Sequence, residues 1–143
     1  MERKSMSVLM AFALAASSGF APQQAVAGDL TNAVLECYVD TYAFDQPTAN
    51  YCISTWTPWT ADNPSVAHFE VVQLPAGNYS FAWKDRDTGA PPPGCGNTQF
   101  CSTGIATDVS GDGLVRMEVR ITDHATGSSR TITADAHYFD GWH

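Results

Sequence analysis

Aromatic rings and cysteines, more than any nucleophile, are the residues through which this chain could do chemistry. Trp56 and Trp59 stand three apart in Ser54-Thr-Trp-Thr-Pro-Trp-Thr60. Pro58 between them lacks a backbone N–H and is disfavoured in a central strand, which places at least one of the two rings on a loop or an edge. A flat indole presents a large apolar area at low entropic cost, suited to stacking on a sugar face or anchoring a protein partner. Trp142 is placed to complete such a patch. The competing reading is that Trp56 and Trp59 cap one open end of the sandwich and that Trp142 simply covers the core. Trp83 differs, lying in an alternating run on the same face as Tyr79 and Phe81, and it reads as core.

Three further segments carry candidate chemistry. Pro91, Pro92 and Pro93 stiffen a loop that Cys95 and Cys101 would close, and Asn97 and Phe100 lie within it. A loop held rigid before binding loses less entropy on complex formation, as in inhibitors of extracellular enzymes. Its structural alternative is an Ω-like loop clipped down for stability. In Asp108-Val-Ser-Gly-Asp-Gly113, oxygen donors at positions one, three and five precede a glycine at six, like the start of an EF-hand loop. The glutamate expected at position twelve is Val119, so a glycine-rich β-turn is the preferred reading and Asp108, Ser110 and Asp112 are weak calcium candidates. His68, His124, His137 and His143, with Asp135 and Asp140, have no regular ligand spacing and read as solvated polar residues. No G-x-S-x-G or H-E-x-x-H motif is present. With both disulfides formed there is no free thiol, and a small sandwich with two staples has little room for a deep pocket. A non-catalytic protein without a cofactor is therefore expected; an enzyme working through a pair of the many carboxylates is the minority reading. Asn78-Tyr-Ser80 is a glycosylation sequon.

The elements that must position these residues begin with residues 1–27. Glu2, Arg3 and Lys4 precede an apolar run from Val8 to Ala16, and the segment closes on Ala25-Val-Ala27. A charged start, a short apolar stretch and an A-x-A site describe a cleavable signal peptide. The apolar run falls short of the roughly 20 residues that span a bilayer. Secretion, to the extracellular space or a periplasm, is therefore expected, with residues 28–143 as one mature domain. Taking 27 from 143 residues leaves 116, an ordinary single-domain length. Removing Glu2, Arg3 and Lys4 from 15 acidic and 7 basic residues leaves 14 and 5, a net charge of −9. That balance argues against nucleic acid and against anionic membrane surfaces. The four cysteines of an exported domain imply two disulfides. The local pairings Cys37–Cys52 and Cys95–Cys101 are favoured over a crossed arrangement, which would bridge two sheets.

Period-two alternation dominates residues 28–143. Val115, Met117, Val119 and Ile121 share one face of a run whose other face holds Arg116, Glu118, Arg120 and Thr122. A turn at Asp123-His-Ala-Thr-Gly127 leads to a second run, in which Ile132, Ala134, Ala136 and Tyr138 alternate with polar residues, so a hairpin is predicted. A second hairpin is predicted between the run from Ala67 to Leu74 and that from Tyr79 to Lys84, through Pro75-Ala-Gly-Asn78. Val34–Asp40 and Tyr51–Trp56 are shorter strand candidates, and Cys101–Thr107 a brief edge strand. No sustained helical periodicity interrupts them. The fold class predicted is all-β, a sandwich of about seven antiparallel strands.

The stretch from Val66 to Tyr138 resembles bacterial immunoglobulin-like and PKD-like extracellular modules. Tyr79-Ser-Phe-Ala-Trp83 looks like their core-tryptophan strand, and Arg116-Met-Glu-Val-Arg-Ile-Thr-Asp123 like a late strand followed by a turn and a Thr-rich last strand. The resemblance implies an extracellular immunoglobulin-like β-sandwich that binds or packs against something, and it transfers no functional residue. The function expected is recognition of carbohydrate or a surface protein through Trp56, Trp59 and Trp142. The alternative is inhibition of an extracellular enzyme through the Gly89–Cys101 loop.

Overall fold

Alternation along the chain becomes eight β-strands in the computed structural model, which describes residues 28–41, 45–59 and 62–142. The expected signal peptide, residues 1–27, and His143 lie outside the described residues. The strands are β1 (Val34–Val39), β2 (Thr48–Ala49), β3 (Tyr51–Trp56), β4 (Ser65–Val72), β5 (Tyr79–Asp85), β6 (Phe100–Ile105), β7 (Leu114–Asp123) and β8 (Ser129–Asp140). One sheet has the order β2-β1-β4-β6 and the other β3-β8-β7-β5. A 3-10 turn, Leu30–Asn32, precedes β1, and Asp29 caps it by accepting the Thr31 N–H at 2.8 Å.

The two inner faces make the core. From the first sheet come Leu35, Cys37, Val39, Ala67, Phe69, Val71, Cys101 and Ile105; from the second, Trp83, Met117, Val119, Ile121, Ile132, Ala134, Ala136 and Tyr138. All are buried, and in both sheets they sit at every second position, as a strand with one wet face requires. Trp83 is in this core as predicted, and its indole N–H donates to the Thr98 carbonyl at 2.9 Å. The predicted β7–β8 hairpin is present, with register from Leu114↔His137 to Thr122↔Ser129. Its turn is held by the buried Asp123, which accepts the Ala125 N–H at 2.8 Å and the Thr126 hydroxyl at 2.9 Å. These bonds, the Ala125 N–H foremost, hold the Asp123 carboxyl below the usual range. Gly127 supplies the positive φ of 72° that the turn needs.

Three expectations are corrected. Eight strands form, and they are not all antiparallel: β3 runs parallel to β8, from Tyr51↔Asp135 to Trp56↔Asp140. The runs around residues 67–74 and 79–84 are not a hairpin. β4 belongs to one sheet and β5 to the other, so the chain through Pro75-Ala-Gly-Asn78 turns a corner between sheets. Both runs have one apolar face, and a corner lets each bury it against the other sheet as well as a hairpin would. The two local disulfides do form, Cys37–Cys52 with Cα atoms 5.7 Å apart and Cys95–Cys101 with 4.9 Å. Cys37–Cys52 is nevertheless an inter-sheet bridge, because β1 and β3 lie in different sheets.

Candidate functional site

The parallel pairing of β3 and β8 brings both strands out at the same end of the sandwich. Beyond β3 come Thr57, Pro58 and Trp59; beyond β8 come Gly141 and Trp142. The two exits are tied together. The Gly141 N–H donates to the Trp56 carbonyl at 2.9 Å, and the Trp142 N–H to Asp140 Oδ1 at 2.9 Å. The Asp140 N–H in turn donates to Asp108 Oδ1 at 2.7 Å. Gly141 passes so close to β3 that a Cβ on it would fall 2.2 Å from Thr55 Cγ2. Only glycine lets the last residues lie this near.

The outcome is a pair of exposed indoles. Trp59 is 76% exposed and Trp142 54%, and their ring centroids are 4.6 Å apart at an interplanar angle of 79°. This edge-to-face arrangement is a favourable aromatic geometry. It makes a corner of two indole faces instead of a flat strip. Trp56 is half-buried and packs against the core; its carbonyl anchors Gly141. On β8 itself, the Tyr138 hydroxyl donates to the Asp62 carbonyl at 2.6 Å. Burial first, then the charges of Asp62, Asp140 and Asp45, push the Tyr138 phenol up to about 12.

The proline-stiffened loop does a different job. Asn97 Oδ1 accepts the Phe81 N–H of edge strand β5 at 2.6 Å. The Gln99 side chain donates to the Val71 carbonyl at 2.6 Å, and the Val71 N–H returns a bond to the Gln99 carbonyl at 3.0 Å. The loop thus closes one side of the sandwich by contacting both sheets. Pro92 is buried while Pro91 and Pro93 are exposed. Phe100, at the start of β6, stands 62% exposed.

The oxygens of the Asp108–Gly113 segment are engaged in local structure. Asp108 accepts from Asp140, Ser110 shares bonds with Asn63 and Thr107, and Asp112 accepts the Leu114 N–H at 3.2 Å. The histidines are scattered. His68 stacks on Tyr38, while His137 lies between Tyr51 and Phe139, and Asp135 is bound by Arg86 at 2.9 Å. Among the described residues no group of three or more His, Cys, Asp or Glu is arranged to hold a metal ion.

One concavity is marked by no motif in the sequence. On the outer face of the first sheet, Tyr38, His68 and Ser102 are register neighbours across β1, β4 and β6, and so are Glu36, Glu70 and Phe100. Together they line a depression of about 210 Å³. Alternation marks His68 and Glu70 as outward-facing, but only the strand register brings them beside Tyr38 and Phe100.

The described chain is thus an all-β protein of two facing four-stranded sheets, stapled by two disulfides, with a tryptophan pair at one end. No protein-family model, no curated protein and no solved structure matches it.

Proposed function

We propose that this protein is a secreted, non-catalytic binding module with an immunoglobulin-like β-sandwich, recognising carbohydrate through the Trp59–Trp142 corner. The observation that carries this reading is the contact between two exposed indoles, held in place by backbone bonds from Gly141 and Trp142. Exposed aromatic faces are costly to leave in water and are well matched to the apolar C–H face of a sugar ring. The immunoglobulin-like reading is supported by the corner between β4 and β5, which sends successive strands to opposite sheets and puts the buried Trp83 on the first strand after the switch. Two disulfides favour an oxidising compartment. No helix among the described residues is long and apolar enough to cross a membrane. The inhibitor alternative draws less support, since Asn97 and Gln99 are spent on strand edges.

Sedimentation with insoluble polysaccharides and cell-wall fractions tests the proposal. The wild-type chain is expected to bind at least one of them. The Trp59→Ala/Trp142→Ala variant should bind about tenfold or more weakly, a change of roughly 1.4 kcal/mol or greater. Its thermal midpoint should be unchanged, because both side chains are exposed. Absence of wild-type binding, or equal binding by the variant, rejects the reading.

A further inference from the structure

We propose that the outer face of the β2-β1-β4-β6 sheet holds a separate binding site for an alkylammonium group, with Glu36 and Glu70 as its anionic floor and Tyr38 and Phe100 as its aromatic walls. Glu36 and Glu70 are direct cross-strand partners of β1 and β4. Like charges placed opposite each other destabilise a sheet. Neither glutamate takes part in an ion pair among the described residues; Lys84–Glu118, Arg86–Asp135 and Arg116–Asp87 pair their charges elsewhere. The five basic residues of the mature chain, Lys84, Arg86, Arg116, Arg120 and Arg130, all lie on the other sheet or its loops. The strands of this sheet carry no Lys or Arg. Among the described residues no Lys or Arg on this face neutralises the pair. His68, the one other basic group lining the depression, is engaged with Tyr38 and Ser102, so the complement is a cation from outside.

The walls narrow the kind of cation. Tyr38 stacks on His68 with centroids 4.7 Å apart and planes at 24°, and His68 Nδ1 is 2.7 Å from Ser102 Oγ, which fixes both rings. Phe100 stands exposed on the opposite side of Glu70. Aromatic rings flanking carboxylates attract a cation through the ring quadrupole and shelter an aliphatic stem. Calcium would want six to eight oxygen ligands, and two carboxylates beside two hydrocarbon rings are a poor match. An ammonium with N–H donors for both glutamates and a carbon stem for the rings fits the depression. The source is a lysine side chain or a free amine, and one headgroup chemistry covers both.

The test is a titration of the folded chain with n-butylammonium chloride, followed by NMR shifts of Tyr38, His68 and Ser102. Saturable shifts with a dissociation constant in the millimolar range, about −4 kcal/mol, are expected. The Glu36→Gln/Glu70→Gln variant should weaken binding about tenfold while its thermal midpoint rises by about 1–4 °C as the repulsion is removed. Phe100→Ala, at an exposed position, should weaken binding several-fold without touching the fold. The Trp59→Ala/Trp142→Ala variant should bind the amine as wild type does, so this site and the tryptophan corner succeed or fail separately. The proposal is overturned by an absence of saturable shifts up to about 50 mM. It is equally overturned if affinity survives in the glutamine variant, or if tetramethylammonium or calcium binds as tightly. A lysine-containing peptide run beside the free amine then distinguishes a protein partner from a small metabolite.

Discussion

Individual side chains were readable from sequence where one neighbour on the chain decided their role. Trp83 is flanked by Tyr79 and Phe81 at even spacing and could only be core; Gly127 closes a turn that demanded positive φ. Tyr138 shows what spacing does not reveal. Alternation placed it inward, yet its hydroxyl reaches out of the core to the Asp62 carbonyl at 2.6 Å. That buried phenol has its titration pushed up to about 12 by burial and by nearby carboxylates. The unfolded chain would ionise near 10. Between these values the native state keeps a proton that the unfolded state loses, so stability is intact below pH 10 and falls as the pH rises toward 12. In Tyr138→Phe, thermal midpoints measured across this range should decline less steeply. The same variant should cost about 1 kcal/mol at neutral pH from the lost hydrogen bond. An alkaline limb as steep as that of the wild type would show that another group sets it.

At the scale of elements, the strands were legible and their partners only partly so. The β7 and β8 runs have ten and twelve residues, a short turn and a clean alternation, and nothing else could pair them. β4 and β5 have the same local signals, but a turn joining two amphipathic strands reads alike whether it closes a hairpin or a corner. The difference lies in which sheet buries each face, a non-local quantity. β3 was harder still. Its parallel neighbour β8 lies more than 80 residues away, and no local pattern marks a strand as parallel. Missing that pairing hid why Trp59 and Trp142 meet, because two antiparallel strands would have sent them to opposite ends. The inter-sheet course of Cys37–Cys52 follows from the same geometry. The bridge spans 15 residues and locks β3, an edge strand, to the opposing sheet. Replacing both cysteines with alanine should lower unfolding stability by about 3 kcal/mol, against about 2 kcal/mol for the six-residue Cys95–Cys101 loop. Denaturant midpoints of the two double variants check the order. A smaller loss at Cys37 and Cys52 would mean that β3 is held by its β8 ladder alone.

For the molecule as a whole, composition set the sign of the charge and the fold decided where it sits. The net −9 of residues 28–143 suggested only solubility. In three dimensions the cations are segregated. Three of the five are in ion pairs on the β3-β8-β7-β5 side, Arg120 bonds Ser129, and Arg130 donates to the Leu30 and Thr31 carbonyls. The opposite sheet has Glu36 facing Glu70 with no cation on its strands. Salt therefore acts on the two sides with opposite sign. It weakens the three partly exposed ion pairs, each worth about 0–1 kcal/mol at most. It also screens the repulsion among the excess carboxylates, which has no compensating attraction on the glutamate face. Because the carboxylates outnumber the cations by nine, screening should win. Raising sodium chloride from about 10 to 300 mM, which shortens the screening length from roughly 30 Å to under 10 Å, should raise the thermal midpoint by a few degrees. The gain should shrink in Glu36→Gln, where the cross-strand repulsion is already gone. A midpoint that fell with salt would instead place the governing electrostatics in the ion pairs of the cationic side, and the glutamate face would then carry no stored repulsion for a ligand to relieve.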